Sequence, residues 1–261
     1  KRQTSSNPCV GKPGDRMGEA ARMAAMIADM LFPRGCAGCD CPDAVLCVEC
    51  RKLFHQHVER SLPGVVMDRW FACGWYRGSV RRAILSWKDH GDEECDGPLC
   101  EMLHDLARSC GLIDLLRGRV PYDGPILIIP APSSRHSVRQ RGRRHMMQLA
   151  KRLARDVRRT GLSAKACNAL ESRGVTRRSV QMQGVVQRSR RLKGHVAVRS
   201  GIDVRGVPVV LIDDIITSGT TMRRCVEVLQ QAGATVVTVL ALAYTPPGGS
   251  TQENDHSSSA V

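Results

Sequence analysis

Asp213 and Asp214 stand side by side after the apolar run Val209, Val210, Leu211 and Ile212, and Thr217, Ser218, Gly219, Thr220 and Thr221 follow them. Adjacent carboxylates are acceptors suited to a pair of sugar hydroxyls or to the waters around Mg2+. A short loop of glycine and hydroxyl residues at a helix start aims free backbone N–H groups at one point, where the helix dipole also favours negative charge. Such a loop is a phosphate cradle. Gly219 lets the backbone approach the ligand closely. A phosphate cradle beside a diol acceptor describes a ribose 5-phosphate site. The bland alternative is a capped helix start with two solvated aspartates, and the apolar run attached to the acidic pair favours the former.

The elements that must position these residues are legible around them. Residues 207–212 form a β-branched run that predicts a strand buried on both faces of a parallel sheet. Residues 222–232 have helical spacing, with Met222, Val226, Leu229 and Ala232 on one face. The carboxylates then lie at the carboxyl end of a strand, where open α/β sheets bind ligands. The stretch resembles the 5-phosphoribosyl 1-pyrophosphate (PRPP) signature of type I phosphoribosyltransferases. The resemblance implies that Asp213 and Asp214 are the catalytic pair on the ribose hydroxyls, that Thr217, Ser218, Gly219, Thr220 and Thr221 hold the 5′-phosphate, and that Mg2+ accompanies PRPP. Ser218 stands where that family usually has Thr, and the hydroxyl is retained.

A second anion site is expected upstream. Gly124 and Pro125 open a strand over 126–129, which runs into Pro130, Ala131, Pro132, Ser133, Ser134 and Arg135. A turn stiffened by two prolines, then hydroxyls and Arg, suits a pyrophosphate. Ala131, Pro132, Ser133 and Arg135 join the PRPP candidates. Arg139, Arg141, Arg143 and Arg144 then precede a helix expected to bury Met147, Leu149, Ala150 and Leu153.

Cys36-x2-Cys39 and Cys47-x2-Cys50 supply four thiolates in the pairing that tetrahedral Zn2+ requires. Cys41, two residues from Cys39, competes for the fourth position. The chain is long and has an α/β core, so reduced thiols with a structural zinc are expected rather than a disulfide scaffold. The other cysteines are given no role.

With these features together, the chain resembles the ComF family of competence-associated, phosphoribosyltransferase-like proteins. The resemblance is carried by the four cysteines, then Lys88, Gly91 and Asp92 in a Lys-x-x-Gly-Asp turn, Pro130 and Pro132, Arg141 and Gly142, and the acidic pair. It implies an α/β fold with a type I phosphoribosyltransferase-like parallel sheet, flanking helices and a small N-terminal zinc-binding module. It also implies transfer of a phosphoribosyl group to a nitrogen nucleophile with pyrophosphate release. After Arg-Gly that family has an aromatic residue, Asn and Gln, where this chain has Arg143, Arg144 and His145. Further on, Arg188 is followed by Arg191 in the place of an Asn. Amides are lost and cations gained at the expected mouth, which suits phosphates better than a neutral base.

Charge points the same way. The 261 residues carry a net charge of +14, and residues 135–205 alone hold 20 basic residues against Asp156, Glu171 and Asp203. Such a balance favours polyanionic partners: PRPP, a related nucleotide or nucleic acid. The alternative to an enzyme is therefore a PRPP- or nucleotide-binding module that handles single-stranded DNA in competence, in peripheral contact with the uptake machinery. Arg139, Arg141, Arg143, Arg144 and Arg188 would touch the strand. Trp70, Phe71, Trp75, Tyr76 and Trp87 either stack bases or pack as core, and the core reading is preferred.

No apolar run reaches the roughly 18 residues that a bilayer span needs, and the expected location is the cytoplasm. The expected divisions are a disordered N-terminus over 1–16, a helix and four-cysteine zinc module over 17–64, the phosphoribosyltransferase-like domain over 65–245 and a disordered tail over 246–261. Met17 is a candidate start of the folded protein. Ser79 is a candidate helix N-cap, and a single helix is expected over 99–116.

Overall fold

Apolar runs in which every residue is buried require cover on both faces of a sheet, and the fold provides it. The computed structural model describes residues 34–118, 124–173 and 195–246. Contacts divide the chain into Lys1–Arg34 and Gly35–Val261. The expected helix from Met17, the N-terminal tail, nearly all of the C-terminal tail, Arg188 and Arg191 lie outside the described residues.

Six strands form one sheet in the order β1-β2-β8-β7-β3-β4. They are β1 (Val58–Ser61), β2 (Arg69–Trp75), β3 (Ile126–Pro130), β4 (Ala164–Ala166), β7 (Pro208–Ile216) and β8 (Thr235–Tyr244). Only the β1–β2 pair is antiparallel. β5 (Leu170–Arg173) and β6 (His195–Val198) make a separate antiparallel ribbon. Alternation sends Ile126, Ile128, Val210 and Ile212 into one core cluster, and Leu127, Ile129, Val209 and Leu211 into the other. The first cluster is covered by α2 (Gly78–Asp89), α3 (Asp96–Ser109), α4 (Leu112–Gly118) and α6 (His145–Arg159); the second is covered by α7 (Thr220–Gln231) and the ribbon. The fold is α/β with a mostly parallel sheet.

The cysteine segment shares this core. Cys36, Leu46, Cys50 and Phe54 are buried in the same cluster as Ile84 and Trp87. α1 (Val48–Lys52) carries Cys50. A β-carbon at Gly74 of β2 would overlap the carbonyl oxygen of Leu53, so glycine there lets the exit of α1 lie against the sheet. The division expected at residue 64 runs through the β1–β2 pair.

Several local expectations are corrected. β7 continues through Ile216, so both aspartates lie within the strand rather than after it. The helix expected over 99–116 is two helices, broken where Gly111 takes φ +76°. In α6 it is Met146 that is buried, while Met147 is half-buried. The N-cap of α2 is Arg77, not Ser79. A further helix, α5 (Arg135–Arg141), starts at Ser134, whose Oγ accepts the Ser137 N–H. Trp70, Phe71 and Trp87 are buried, so the aromatic cluster is mainly core.

Candidate active site and candidate metal centre

The candidate metal centre is built from one short loop and the head of α1. Their four sulfurs, of Cys36, Cys39, Cys47 and Cys50, all lie within 4.8 Å of one another. Tetrahedral Zn–S bonds place sulfurs about 3.8 Å apart, so the soft donor set and its spacing fit zinc. The N–H groups of Gly38 and Cys47 donate to Cys36 Sγ at 3.4 and 3.3 Å. Burial opposes ionisation of this thiol, but those donors prevail and lower it to about 6. A β-carbon at Gly38 would come 2.7 Å from Cys50 Sγ. From α2, Arg82 Nε donates to the Gly38 carbonyl at 2.6 Å and fixes the first knuckle. Cys41 is exposed and is not part of the cluster, its thiol facing the Pro42 carbonyl.

The acidic pair sits where β7 passes between its two layers. Consecutive strand residues face opposite ways, and the two carboxylates have different surroundings. Asp214 faces α2 and α6: Lys88 Nζ lies 2.5 Å from its Oδ2, and His145 Nε2 stands 3.5 Å away. Burial alone would raise this carboxyl, but the His145 ring and the Lys88 ammonium outweigh it and hold Asp214 well below the usual carboxylate range. Asp213 faces α7. Burial first, and the Asp213 charge second, push the Cys225 thiol of α7 up to about 12. Asp213 itself is pushed well above the usual range by burial and then by the Asp214 charge, against the Asp214 N–H, which donates to its Oδ1 at 2.9 Å. The sequence shows two equivalent acids; the fold makes one a paired anion and the other a carboxyl that resists ionisation.

A buried polar cluster supports Asp214. His145 packs edge-on against Trp87 with ring centroids 4.8 Å apart, and among the described residues neither of its ring nitrogens makes a hydrogen bond. Trp87 Nε1 donates to Asp96 Oδ1 at 2.6 Å. Arg143 turns inward to Asp96 at 3.2 Å and to the Trp87 carbonyl at 3.3 Å. Arg141 pairs with Asp89 at 3.0 Å. Arg141 and Arg143 each have an acidic partner within the fold, Arg141 at its surface and Arg143 deeper. Lys88 and His145 were named in the sequence but given no role in the site. The signals were the Lys-x-x-Gly-Asp turn and the replacement at position 145.

Beyond the acids, Gly219 caps α7 with φ +70°, a left-handed geometry that favours glycine. Thr217, Ser218, Thr220 and Thr221 are exposed around it. The Ser218 and Thr220 hydroxyls are 2.9 Å apart. Arg223, one turn into the helix, folds back so that its Nη1 donates to the Ser218 carbonyl at 3.1 Å. It adds a cation that the sequence reading did not assign.

Ala131 N–H donates to the Ile212 carbonyl at 2.8 Å, setting the proline turn one strand from the acids. Ala131 and Ser133 border a cleft of 330 Å³ that also receives Arg139, Arg144 and Arg199. Pro132 is half-buried in the same turn. Arg135 begins α5, and its side chain lies outside the described atoms.

Residues 137–258 match the phosphoribosyl transferase domain family. A 42-residue stretch is 45% identical to the orotate phosphoribosyltransferase of Coccidioides immitis (strain RS), covering 16% of this chain and 18% of that protein. The hypoxanthine phosphoribosyltransferase of Trypanosoma cruzi aligns with 58% of this chain and 79% of its own, at 12% identity and a TM-score of 0.37. The adenine phosphoribosyltransferase from Leishmania donovani aligns with 55% of this chain and 53% of its own, at 16% identity and a TM-score of 0.33. The matched residues include both carboxylates and the turn after them, so the part of the chain that resembles a phosphoribosyl transferase domain is the part that carries the candidate site.

Proposed function

We propose that this protein binds PRPP with Mg2+ and transfers its phosphoribosyl group to a nitrogen nucleophile, releasing pyrophosphate. The observation that carries the reading is the acidic pair at the end of β7 running into a hydroxyl-rich turn at the head of α7. Asp213 and Asp214 would accept the ribose hydroxyls. The N–H groups of the turn, its hydroxyls and Arg223 would hold the 5′-phosphate. Ala131, Pro132 and Ser133 would border the pyrophosphate.

The donor set suits Mg2+, since hard oxygens are what it selects and Asp213 has no ion-pair partner among the described residues. Asp213 and Asp214 would reach it through water and the ribose hydroxyls, and the ion when bound offsets charge on the pyrophosphate. In the transfer, the nitrogen lone pair forms the bond to the anomeric carbon as the bond to pyrophosphate breaks. The electron pair leaves with pyrophosphate, and the nitrogen's surplus proton goes to solvent. Donors fixed around the departing oxygens lower that barrier.

The resemblance to the ComF family extends the reading to that type. The reading as a single-stranded DNA module rests on fewer residues than the sequence suggested, because Arg141 and Arg143 are paired internally and Trp70 and Trp87 are buried. Calorimetric titration of PRPP in the presence and absence of Mg2+, with pyrophosphate release followed over a panel of amines and bases, tests the proposal. Saturable PRPP binding with release on one acceptor supports it, and no heat of binding refutes it. Arg223→Ala is expected to weaken PRPP by about tenfold, the size of one charge-assisted contact at an exposed site. Unchanged affinity removes Arg223 from the phosphate site.

A further inference from the structure

The Lys-x-x-Gly-Asp turn holds one side chain at the acids. Lys88 stands in the last turn of α2, and its neighbours are tied elsewhere, Trp87 to Asp96 and Asp89 to Arg141. Gly91 takes φ +75°, which lets the chain reverse there without strain. Asp92 then folds back on the helix: its N–H donates to the Ser86 carbonyl at 3.2 Å, and its Oδ2 accepts from the Ser86 hydroxyl at 3.3 Å. The Cys95 thiol donates to the same oxygen at 3.3 Å. These bonds close the end of α2 and fix the place from which Lys88 reaches β7.

The Lys88 and Asp214 side chains are 19% and 13% exposed, so the pair is shielded yet still open to a ligand. An ammonium has three N–H donors. Among the described residues its ion-pair partner is Asp214, at 2.5 Å, and no hydrogen bond ties it to another group. Asp214 is held from the other side as well, since its Oδ1 accepts the Ile215 N–H at 2.8 Å. A sugar hydroxyl is donor and acceptor at once. One that gives its proton to Asp214 still has lone pairs, which a carboxylate cannot satisfy and a neighbouring ammonium can.

We propose that Lys88 is a ribose-binding residue, donating to the hydroxyl that donates to Asp214, and that this pair makes the site require that hydroxyl. The proposal rests on the phosphoribosyl-transfer reading. A sugar lacking the hydroxyl leaves a lysine donor and a carboxylate lone pair facing a hydrogen in a shielded place, which costs more than a lost surface contact. Asp213 has no ion-pair partner among the described residues, so the hydroxyl it accepts from is read without the lysine.

Ribose 5-phosphate, 2-deoxyribose 5-phosphate and 3-deoxyribose 5-phosphate carry the same charge and differ by one hydroxyl. Each is titrated calorimetrically into the full chain with Mg2+ present. The parent is expected to prefer ribose 5-phosphate over one of the deoxy sugars by about tenfold or more, the size of hydrogen bonds to charged groups. Lys88→Met is expected to bring that ratio to about threefold or below, leaving the ratio for the other deoxy sugar as in the parent. Lys88→Arg, which keeps charge and donors, is expected to restore part of it. Thermal melts are the control for folding, and Lys88→Gln, with the same expectation, replaces the Met variant if that chain does not fold. A folded variant that loses affinity for all three sugars by one common factor makes Lys88 a support of Asp214 only, and overturns the proposal. Parental ratios in the variant overturn it too, and both results leave the PRPP site standing. A parent that binds neither these sugars nor PRPP overturns the reading beneath it.

Discussion

Asp213→Asn and Asp214→Asn are each expected to lower PRPP affinity by about a hundredfold, the loss of a pair of hydrogen bonds to a charged group, and to move stability in opposite directions. Asp214 is ionised and paired with Lys88, the two side chains being 13% and 19% exposed. Replacing it leaves the ammonium without its partner. Breaking a fully buried pair costs about 3–5 kcal/mol, and the residual exposure here brings the expectation to about 2–3 kcal/mol. Adding Lys88→Met to Asp214→Asn is expected to recover part of the stability and none of the PRPP binding. Asp213 resists ionisation in the folded chain, so Asn removes a cost, and the thermal midpoint near pH 8 is expected to rise by roughly 2–5 °C.

The pH dependence separates the two effects. A carboxyl raised in the folded state makes stability fall as pH climbs from the ordinary value, 3.8, through the raised one. The advantage of Asp213→Asn is therefore present at neutral and alkaline pH and vanishes near pH 4. A carboxyl held low contributes stability that is present above the ordinary value and is lost as pH falls through the lowered one. The deficit of Asp214→Asn accordingly shrinks in acid. Melts from pH 4 to pH 8 read both trends. Equal destabilisation by the two substitutions, or parental PRPP affinity in either, refutes the assignment.

Removal of metal is expected to have the other large effect. The purified chain should carry one zinc, and chelation or Cys36→Ser should lower the single thermal transition of the whole unit by more than about 10 °C. A structural zinc contributes on the order of 10 kcal/mol to folding, comparable with the total stability of a domain. Because Cys36, Leu46 and Cys50 share a core with Ile84 and Trp87, the loss should reach α2, which carries Lys88. PRPP affinity should therefore fall along with the midpoint. A metal-free protein with an unchanged melt, or one showing a separate low-temperature transition for residues 35–64, contradicts this.

Much of the fold was legible because its signals are local. The burial of 208–212, the helical face with Met222, Val226 and Leu229, and the Cys-x2-Cys pairs each follow from residue type and spacing. What failed did so for identifiable reasons. The first charge was taken to end β7, yet the backbone goes on pairing with β8 from Asp213↔Ala241 to Ile216↔Tyr244. Ladder hydrogen bonds are indifferent to a side-chain charge that finds its partner on another element, and Lys88 is that partner. The arginines after Gly142 were read as cations at the mouth, and Arg143 instead turns inward because Asp96 and the Trp87 carbonyl accept from it.

The order of residues by itself determined that a strand, an acidic pair, a turn of small donors and a helix would follow one another, because each depends on neighbours within a few positions. It also determined that four thiols could meet. Only the tertiary structure decided that the neighbouring aspartates are chemically unequal and that the inner and outer arginines of one segment have different surroundings. Those outcomes depend on Lys88, Asp89, Asp96 and His145 arriving from distant parts of the chain. Charges tens of residues apart in sequence interact only once folding has set the distance between them.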